Sequence, residues 1–485
     1  MSIGSILSIA RTAMNAQQTI IQVAGHNIAN VETEGYSRQR ATLTANTPEF
    51  WTYGTVGTGV TLSKIERLRD ESLDASYRGE TSDANAFRTK ADLLGGVESV
   101  LGEPSDDGLA ASMDAFWGAW SDLATNPSSS AARSVVQQRG AIVATTLNAF
   151  DARLKELRDQ SQLKLTNAVS DMNTLADQIA TLNGRIVEGE AGGKLANDLR
   201  DQRDVLIDSL SKYGAVRVLP SSDHSVQVLV GTNSVVDGAQ ARHLNLSREP
   251  NGDVSLRFDR SSEPLLPVGG SVTATIDFLN KDLPDAQGRL NAIASQLVTN
   301  VNTLHRQGET FDAAGNASPA GDFFSPGEPD LANPPALLPV TAGSIRLSDA
   351  VAASPTAIAA SKTVPGAGQV AGPGNNEVAL ALAGLRDAAN TVSFTVSGGV
   401  PETGSFASFY REMTSRLGAK VKDADSSATV HETLVDQSDH RRTSVSGVNT
   451  DEELTELMRA QQAYAAAAKV ITTAQEMLKT LVEMI

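Results

Sequence analysis

Both tips of this 485-residue chain carry the same amphipathic helical repeat, and no other feature limits the fold as much. Near the N-terminus Ile3, Leu7, Ala10, Met14, Gln17, Ile21, Ala24 and Ile28 recur at alternating steps of four and three. At the C-terminus Leu454, Leu457, Gln461, Tyr464, Ala468, Ile471, Gln475, Leu478, Val482 and Ile485 do the same. Such a seam lets side chains of one helix seat between those of a partner helix. Chain ends ordinarily fray, because little holds them down. Helical patterning concentrated on both tips predicts that the ends pair with each other and with neighbouring subunits. The candidate interface residues are Ile3, Leu7, Met14, Ile21 and Ile28 on the first helix, and Leu454, Leu457, Tyr464, Ile471, Leu478, Val482 and Ile485 on the last. The only formal charge between Met1 and Val31 is Arg11, and small or amide residues dominate. An ordinary surface helix carries several charged pairs. The pattern points to assembly rather than catalysis.

The first helix runs into a distinctive loop. His26-Asn27-Ile28-Ala29-Asn30-Val31 precedes Glu32-Thr33-Glu34-Gly35-Tyr36-Ser37-Arg38-Gln39. Asn30 suits a helix C-terminus, and Gly35 is free to take a positive φ. Through His26, Asn27, Asn30, Gly35, Tyr36 and Arg38 this stretch resembles the N-terminal segment shared by the axial proteins of the bacterial flagellum: rod, hook and hook-associated proteins. Gly35-Tyr36-Ser37-Arg38-Gln39 looks most like the hook-associated members at the hook–filament junction. The tail agrees, through Ser444-Val445-Ser446-Gly447-Val448-Asn449, Asp451-Glu452-Glu453-Leu454, Leu457-Met458-Arg459 and Gln461-Gln462-Ala463-Tyr464. Thr450 departs from the apolar residue usual there; with Glu453 it predicts a capping box.

The resemblance implies a structural adaptor joining hook to filament and required for flagellum assembly. Copies would form a ring in the axial tube, with the terminal helices innermost. The implied partners are the chain itself, the hook protein, a second junction (hook-associated) protein and an export chaperone. It also implies type III export without a cleaved signal peptide and a place outside the cell. A rod or hook protein is the alternative within the class, opposed by the Gly-Tyr-Ser-Arg-Gln loop and the Gln-Gln-Ala-Tyr tail. A secreted, membrane-active coiled-coil protein is the alternative from another class.

Composition narrows the choice. Forty Lys+Arg stand against 57 Asp+Glu, a formal net charge of −17, so nucleic acid and anionic lipid are repelled. No stretch reaches the roughly 18 apolar residues that span a bilayer, which argues against a membrane partner. Met1 to Ala10 lacks Lys and Arg, and Arg11 interrupts any apolar run, so no cleavable signal peptide is expected. Cys is absent, which excludes disulfides, thiolate metal sites and a cysteine nucleophile.

The interior predicts a mainly α fold with an inserted β domain: a long helical bundle, the terminal N and C helices as a coiled-coil pair, and a small antiparallel β domain. Helices are expected from Ser63 to Leu101, stopped by Pro104, and from Asp106 to Ala124. A very long one follows from Ser129 to Glu188, and another from Leu195 to Tyr213. Alternation at Val226, Val228 and Val230, at Leu244 and Leu246, and at Val254, Leu256 and Phe258 predicts strands. Pro250-Asn251-Gly252-Asp253 predicts a type I′ hairpin. Helix resumes from Ile276 to Arg306, from Glu377 to Ala389 and from Ser405 to Ser438. The stretch from Gly308 to Pro373, with one strand at Ser344 to Leu347, is expected to complete the β domain. The resulting division is 1–40 and 447–485 for the terminal coiled coil (the tube core), 41–213, 275–307 and 374–446 for the helical bundle, and 214–274 and 308–373 for an outer β-rich domain.

The search for chemistry yields no catalytic, metal or cofactor-binding residues. His26, His224, His243, His305, His431 and His440 are scattered, with no metal-binding spacing. Gly54, Gly57 and Gly59 lack the spacing of a nucleotide loop. Gly192-Gly193-Lys194 lacks the rest of a P-loop and reads as a helix end. Asp312-Ala313-Ala314-Gly315-Asn316 lacks the alternating ligands of a calcium loop.

Overall fold

The computed structural model describes residues 3–484 apart from 52–53, 104, 107, 260, 262, 266–268, 313–314, 331–335, 365, 367, 369–371, 388–391 and 397–400. Pro104, Ala313, Ala314, Ala389 and Ile485 therefore lie outside the described residues. Helix α1 (Ile3–Ala29) leads to strand β1 (Gln39–Ala45), a small exposed hairpin of β2 (Glu49–Trp51) and β3 (Gly54–Val56), and β4 (Val60–Arg67). β4 returns antiparallel to β1. The helix expected from Ser63 instead begins as α2 (Glu71–Leu101), because Asp70 is extended and its carboxylate accepts the N–H groups of Ser72 and Leu73. Thr42 pairs with Lys64 and Leu43 with Leu62, so Ser63 is a bulge residue. The bulge breaks strand alternation and leaves Leu62 and Ile65 at a spacing that imitates a helix.

Helix α3 (Leu109–Thr125) and the 61-residue α4 (Ser130–Glu190) follow, α4 capped by the Ser129 hydroxyl on the Ala132 N–H. At 1.5 Å per residue α4 is about 90 Å long. It buries Val136, Val143, Leu147, Leu154, Leu165, Met172, Ile179 and Ile186 along one stripe. Helix α5 (Asn197–Ser211) folds back along its C-terminal end. β5 (Val216–Pro220), β6 (Val226–Val230), β7 (Asn233–Asp237) and β8 (Gln240–Ala241) form an antiparallel sheet in sequence order. β9 (Leu244–Arg248) and β10 (Val254–Phe258) pair as a hairpin. Its turn is not type I′: Gly252 has φ 91° while Asn251 is not in the positive-φ region. The Gly252 N–H bonds to Glu249 O, and Asp253 O accepts from Glu249 N–H. Pro250 holds a negative φ at the first turn position, which a type I′ turn forbids.

Helix α6 (Gly270–Asp277) and α7 (Leu283–His305) are joined by one π-helical turn, Phe278–Asp282. That turn directs the Asn280 amide onto both backbone groups of Val254. β11 (Gly308–Phe311) is the middle strand between β12 (Ala317–Pro319) and β13 (Ser361–Lys362). Short helices α8 (Asp349–Ala353) and α9 (Glu377–Gly384), the hairpin β14 (Val392–Phe394) and β15 (Glu402–Gly404), and the long α10 (Phe406–Ser446) and α11 (Thr450–Glu483) complete the chain. α10 lies along α2 and runs past Ser438. Ser344–Leu347 is not a strand; Leu347 makes an isolated bridge to Phe324.

The described residues of 308–373 do not complete the sheet that begins at Val216. Those from Ala342 to Ile358 sit on the first half of α4: Arg133 donates to Ile358 O, Gln137 to Val351 O and Asn148 to Ala342 O. The β5–β10 layer instead meets the second half, where Asn173 donates to Leu244 O and Asn183 to Val226 O. From Asn148 to Asn173 is roughly 35–40 Å of helix, too far for one small domain. Both attachments share one hydrophobic core with the bundle, containing Phe116, Trp120, Phe323 and Phe324 at one end and Val228, Leu244 and Leu256 at the other.

Candidate functional site

α1 and α11 pack side by side, with Asn27 near the end of one against Glu453 near the start of the other, so they run antiparallel. On α1, Ala10, Ala16, Ala24 and Asn27 are buried, while Ile3, Leu7, Met14, Ile21 and Ile28 are half-buried. On α11 the covered stripe is Glu453, Leu457, Ala460, Tyr464, Ala467, Ile471 and Ala474. Leu457, Tyr464 and Ile471 thus face inward. Leu454, Leu478 and Val482 are 48%, 46% and 66% exposed, and Met458, Met477, Leu481 and Met484 are exposed with them. The inward stripe is offset by one residue from the expected seam at Leu454, Gln461 and Gln475. The cause is Ala460 and Ala474, whose small side chains let α1 approach closely and take the inner places.

The loop after α1 is fastened at Asn27. Its Oδ1 accepts the Tyr36 hydroxyl at 2.8 Å and the Gln39 N–H at 3.0 Å; its Nδ2 donates to Gln39 O and to Glu453 Oε2, both at 2.9 Å. Because the Tyr36 proton is committed to Asn27, His26 Nδ1, 3.0 Å from the phenol oxygen, must be the donor in that pair. Burial, reinforced by Asp198, Asp201 and Glu453, pushes the Tyr36 pKa up, so the phenol stays a donor. Asn30 Nδ2 bonds back to His26 O. Gly35 has φ 76°, and a Cβ there would collide with Val205 Cγ2. Arg38 reaches Glu452 at 2.8 Å and Glu453 at 2.7 Å. No capping box forms at Thr450. Asn449 caps α11 by accepting the Asp451 and Glu452 N–H groups, and Glu453 is drawn away to Asn27 and Arg38.

Beneath the loop lies a buried charged layer. Arg67 contacts Asp201 at 2.7 Å and Asp204 at 2.8 Å; Arg69 holds Asp74 at 2.6 Å and Asp204 at 3.3 Å; Arg78 holds Asp208 at 2.6 Å. Asp201 also accepts both the N–H and hydroxyl of Ser37, and Asp208 receives Arg442 from α10. Burial raises the Asp201 pKa against the pull of Arg67. At Asp204 burial is outweighed by Arg69, Arg67, Arg78 and Arg203, and its pKa falls. The layer ties the base of the terminal pair to α2, α5 and α10. Apart from the loop, sequence reasoning missed it. The signal was present on α5: Asn197, Asp201, Asp204 and Asp208 recur at the four-three spacing that normally marks an apolar core stripe.

Among the described residues no group of His, Cys, Asp and Glu could hold a metal ion, and no helix is long and apolar enough to cross a membrane.

Comparison with known proteins gives a consistent answer. Residues 94–324 match the family described as flagellar hook-associated protein FlgK helical domain. Residues 442–484 match flagellar basal body rod FlgEFG protein C-terminal, and residues 7–36 match flagella basal body rod protein. Flagellar hook-associated protein 1 of Bacillus subtilis strain 168 is 32% identical over 98% of this chain and 97% of its own length. Its counterpart in Escherichia coli K12 is 26% identical over 99% of both chains. The solved structure of the flagellar hook junction protein FlgK from Burkholderia pseudomallei shares the fold, with a TM-score of 0.61 at 17% identity, covering 77% of this chain and all of that one.

Proposed function

Because the chain belongs to the flagellar hook-associated protein 1 family, we propose that it works by assembly rather than catalysis, as the adaptor between hook and filament. It is a structural component of the flagellum. The observation that carries the mechanism is the terminal pair itself: its inner stripe is closed within one chain, while Leu454, Leu478 and Val482 stay exposed on its outer side. Apolar side chains aligned on a helix gain by burial, about 25 cal/mol per Å² removed from water. Repeated copies around an axis would cover them. On this reading Ile3, Leu7, Met14, Ile21 and Ile28 shape the pair. Leu457, Tyr464 and Ile471 lock it, and the exposed residues of α11 meet neighbouring copies.

The proposed partners are further copies in a ring, the hook protein on one side, a second hook-associated protein on the other, and an export chaperone before secretion through the flagellar type III apparatus. Neither nucleic acid nor membrane is a partner. The charged layer gives the design its stiffness: guanidinium–carboxylate pairs with little solvent around them resist bending between the terminal helices and the bundle. Electron microscopy of a strain lacking this protein tests the role. Hooks without filaments, together with secreted filament monomers, are expected; normal filaments on the hooks would refute it.

A further inference from the structure

The hairpin of β2 and β3 projects an aromatic side chain into solvent: Phe50 is 84% exposed, and Trp51 beside it is also exposed. The chain has an aromatic content of only 4%, so an exposed Phe beside an exposed Trp is costly unless it is covered in use. Its position is set by β1 and β4. Gln39 starts beside Asn27, and Gly59, past the other end of the ladder, packs so closely on α1 that a Cβ added there would collide with the Thr12 hydroxyl and stand 3.4 Å from the Ile9 Cα. The strands therefore run back along α1, and Phe50 lies beyond them toward the N-terminal half of that helix. At the other end of α1, about 25 Å away along the helix, is a groove of about 770 Å³. Its apolar floor is Leu182, Val205 and Leu206, with Tyr36 on one wall.

We infer that the Phe50–Trp51 hairpin of one copy docks into the Leu182–Val205–Leu206 groove of a second copy of this chain, head to tail. The β1–β4 ladder holds the hairpin at the wrong end of α1 for it to enter its own groove. A contact between two different patches of identical molecules builds a ring or a helix, which is the symmetry an axial assembly needs. The space accommodates two aromatic side chains. Charge supplies the register: Arg185 on the groove and Glu49 beside Phe50 are both exposed, and neither has an ion-pair partner among the described residues. Of the carboxylates lining the groove, Asp201 is paired with Arg67 and Asp177 lies 2.9 Å from His243, while Asp198 and Glu34 keep their charge, so Arg185 draws Glu49 in against both. This docking rests on the adaptor reading above and adds the contact between copies.

The test uses the full-length protein in its own bacterium. Glu49→Arg and Arg185→Glu should each cut the number of attached filaments roughly tenfold, and the double reversal should restore it. The monomer's thermal unfolding should be unchanged in all three; a shift would make these residues part of the fold and overturn the proposal. The natural chain lacks cysteine, so Phe50→Cys with Thr181→Cys offers a single designed disulfide. Oxidised junctions should yield covalently linked copies with both substitutions and none with either alone. Absence of linkage, linkage of Phe50→Cys to a different protein, or a double reversal without rescue would overturn the docking. If the deletion strain still bears filaments, it is the adaptor role that fails instead.

Discussion

At the residue scale, Asn27 does the most for its size. All four hydrogen-bonding positions of its amide are used within the joint, and the residue is buried. Asn27→Ala leaves Tyr36, Gln39 and Glu453 short of partners, a loss on the order of 3 kcal/mol. Amide exchange should speed up in α1 and α11, with the core around Trp120 unchanged. Two other side chains set the response to acid. His305 is fully buried, with Nδ1 2.7 Å from Gly321 O and Nε2 accepting the Ala359 N–H at 3.0 Å. Burial lowers its pKa, so the neutral ring's contribution is complete above the unfolded value near 6.5 and lost as pH falls below it. Glu190 resists burial through Arg200, the Ala196 N–H and His224, and its pKa falls to about 2. Its contribution is full above about 4.5 and lost between there and 2. Stability should therefore decline in two steps on acidification. Glu190→Gln should shrink the second step, which it shares with Asp204, and leave the first intact, as read by denaturant unfolding at a series of pH values.

At the element scale, the long helices were legible because their apolar stripes persist over many turns and their ends carry Ser129, Gly102 and Ser405 as caps. Three features were not. The Ser63 bulge disguised β4, since one inserted residue shifts every later side chain to the other face. Pro250 overrode the Asn-Gly turn signal by holding a negative φ at the first turn position. The third is the one-residue offset on α11, where Ala460 and Ala474 outcompete larger neighbours because close approach matters more than apolar bulk. That offset separates two leucines. Leu457→Asp would place a charge against α1, costing on the order of 2 kcal/mol, and should release both terminal helices in the monomer. Leu478→Asp should leave monomer exchange unchanged and still abolish filament attachment. Equal effects of the two on the monomer would show that Leu478 belongs to the intramolecular pair.

At the scale of the molecule, the terminal pair, the charged layer and the bundle form a continuous path from α1 to the far end of α4. The four-residue and three-residue steps of Asp201, Asp204 and Asp208 were visible in the sequence, but nothing in one chain's pattern says that Arg67, Arg69, Arg78 and Arg442 converge on them from β4, the connection after it, α2 and α10. The same holds for the two β attachments, which share one core although they are far apart on α4. The central claim is that the ends pair within one chain and leave an outer apolar face that is covered only on assembly. A single cysteine at Leu478 measures this directly, because the natural protein has none. Maleimide should label Leu478→Cys in the secreted monomer and fail to label it in intact hook–filament junctions. Cysteine at Asn251, on the β9–β10 turn, should react in both. Equal labelling of Leu478→Cys before and after assembly would contradict the account.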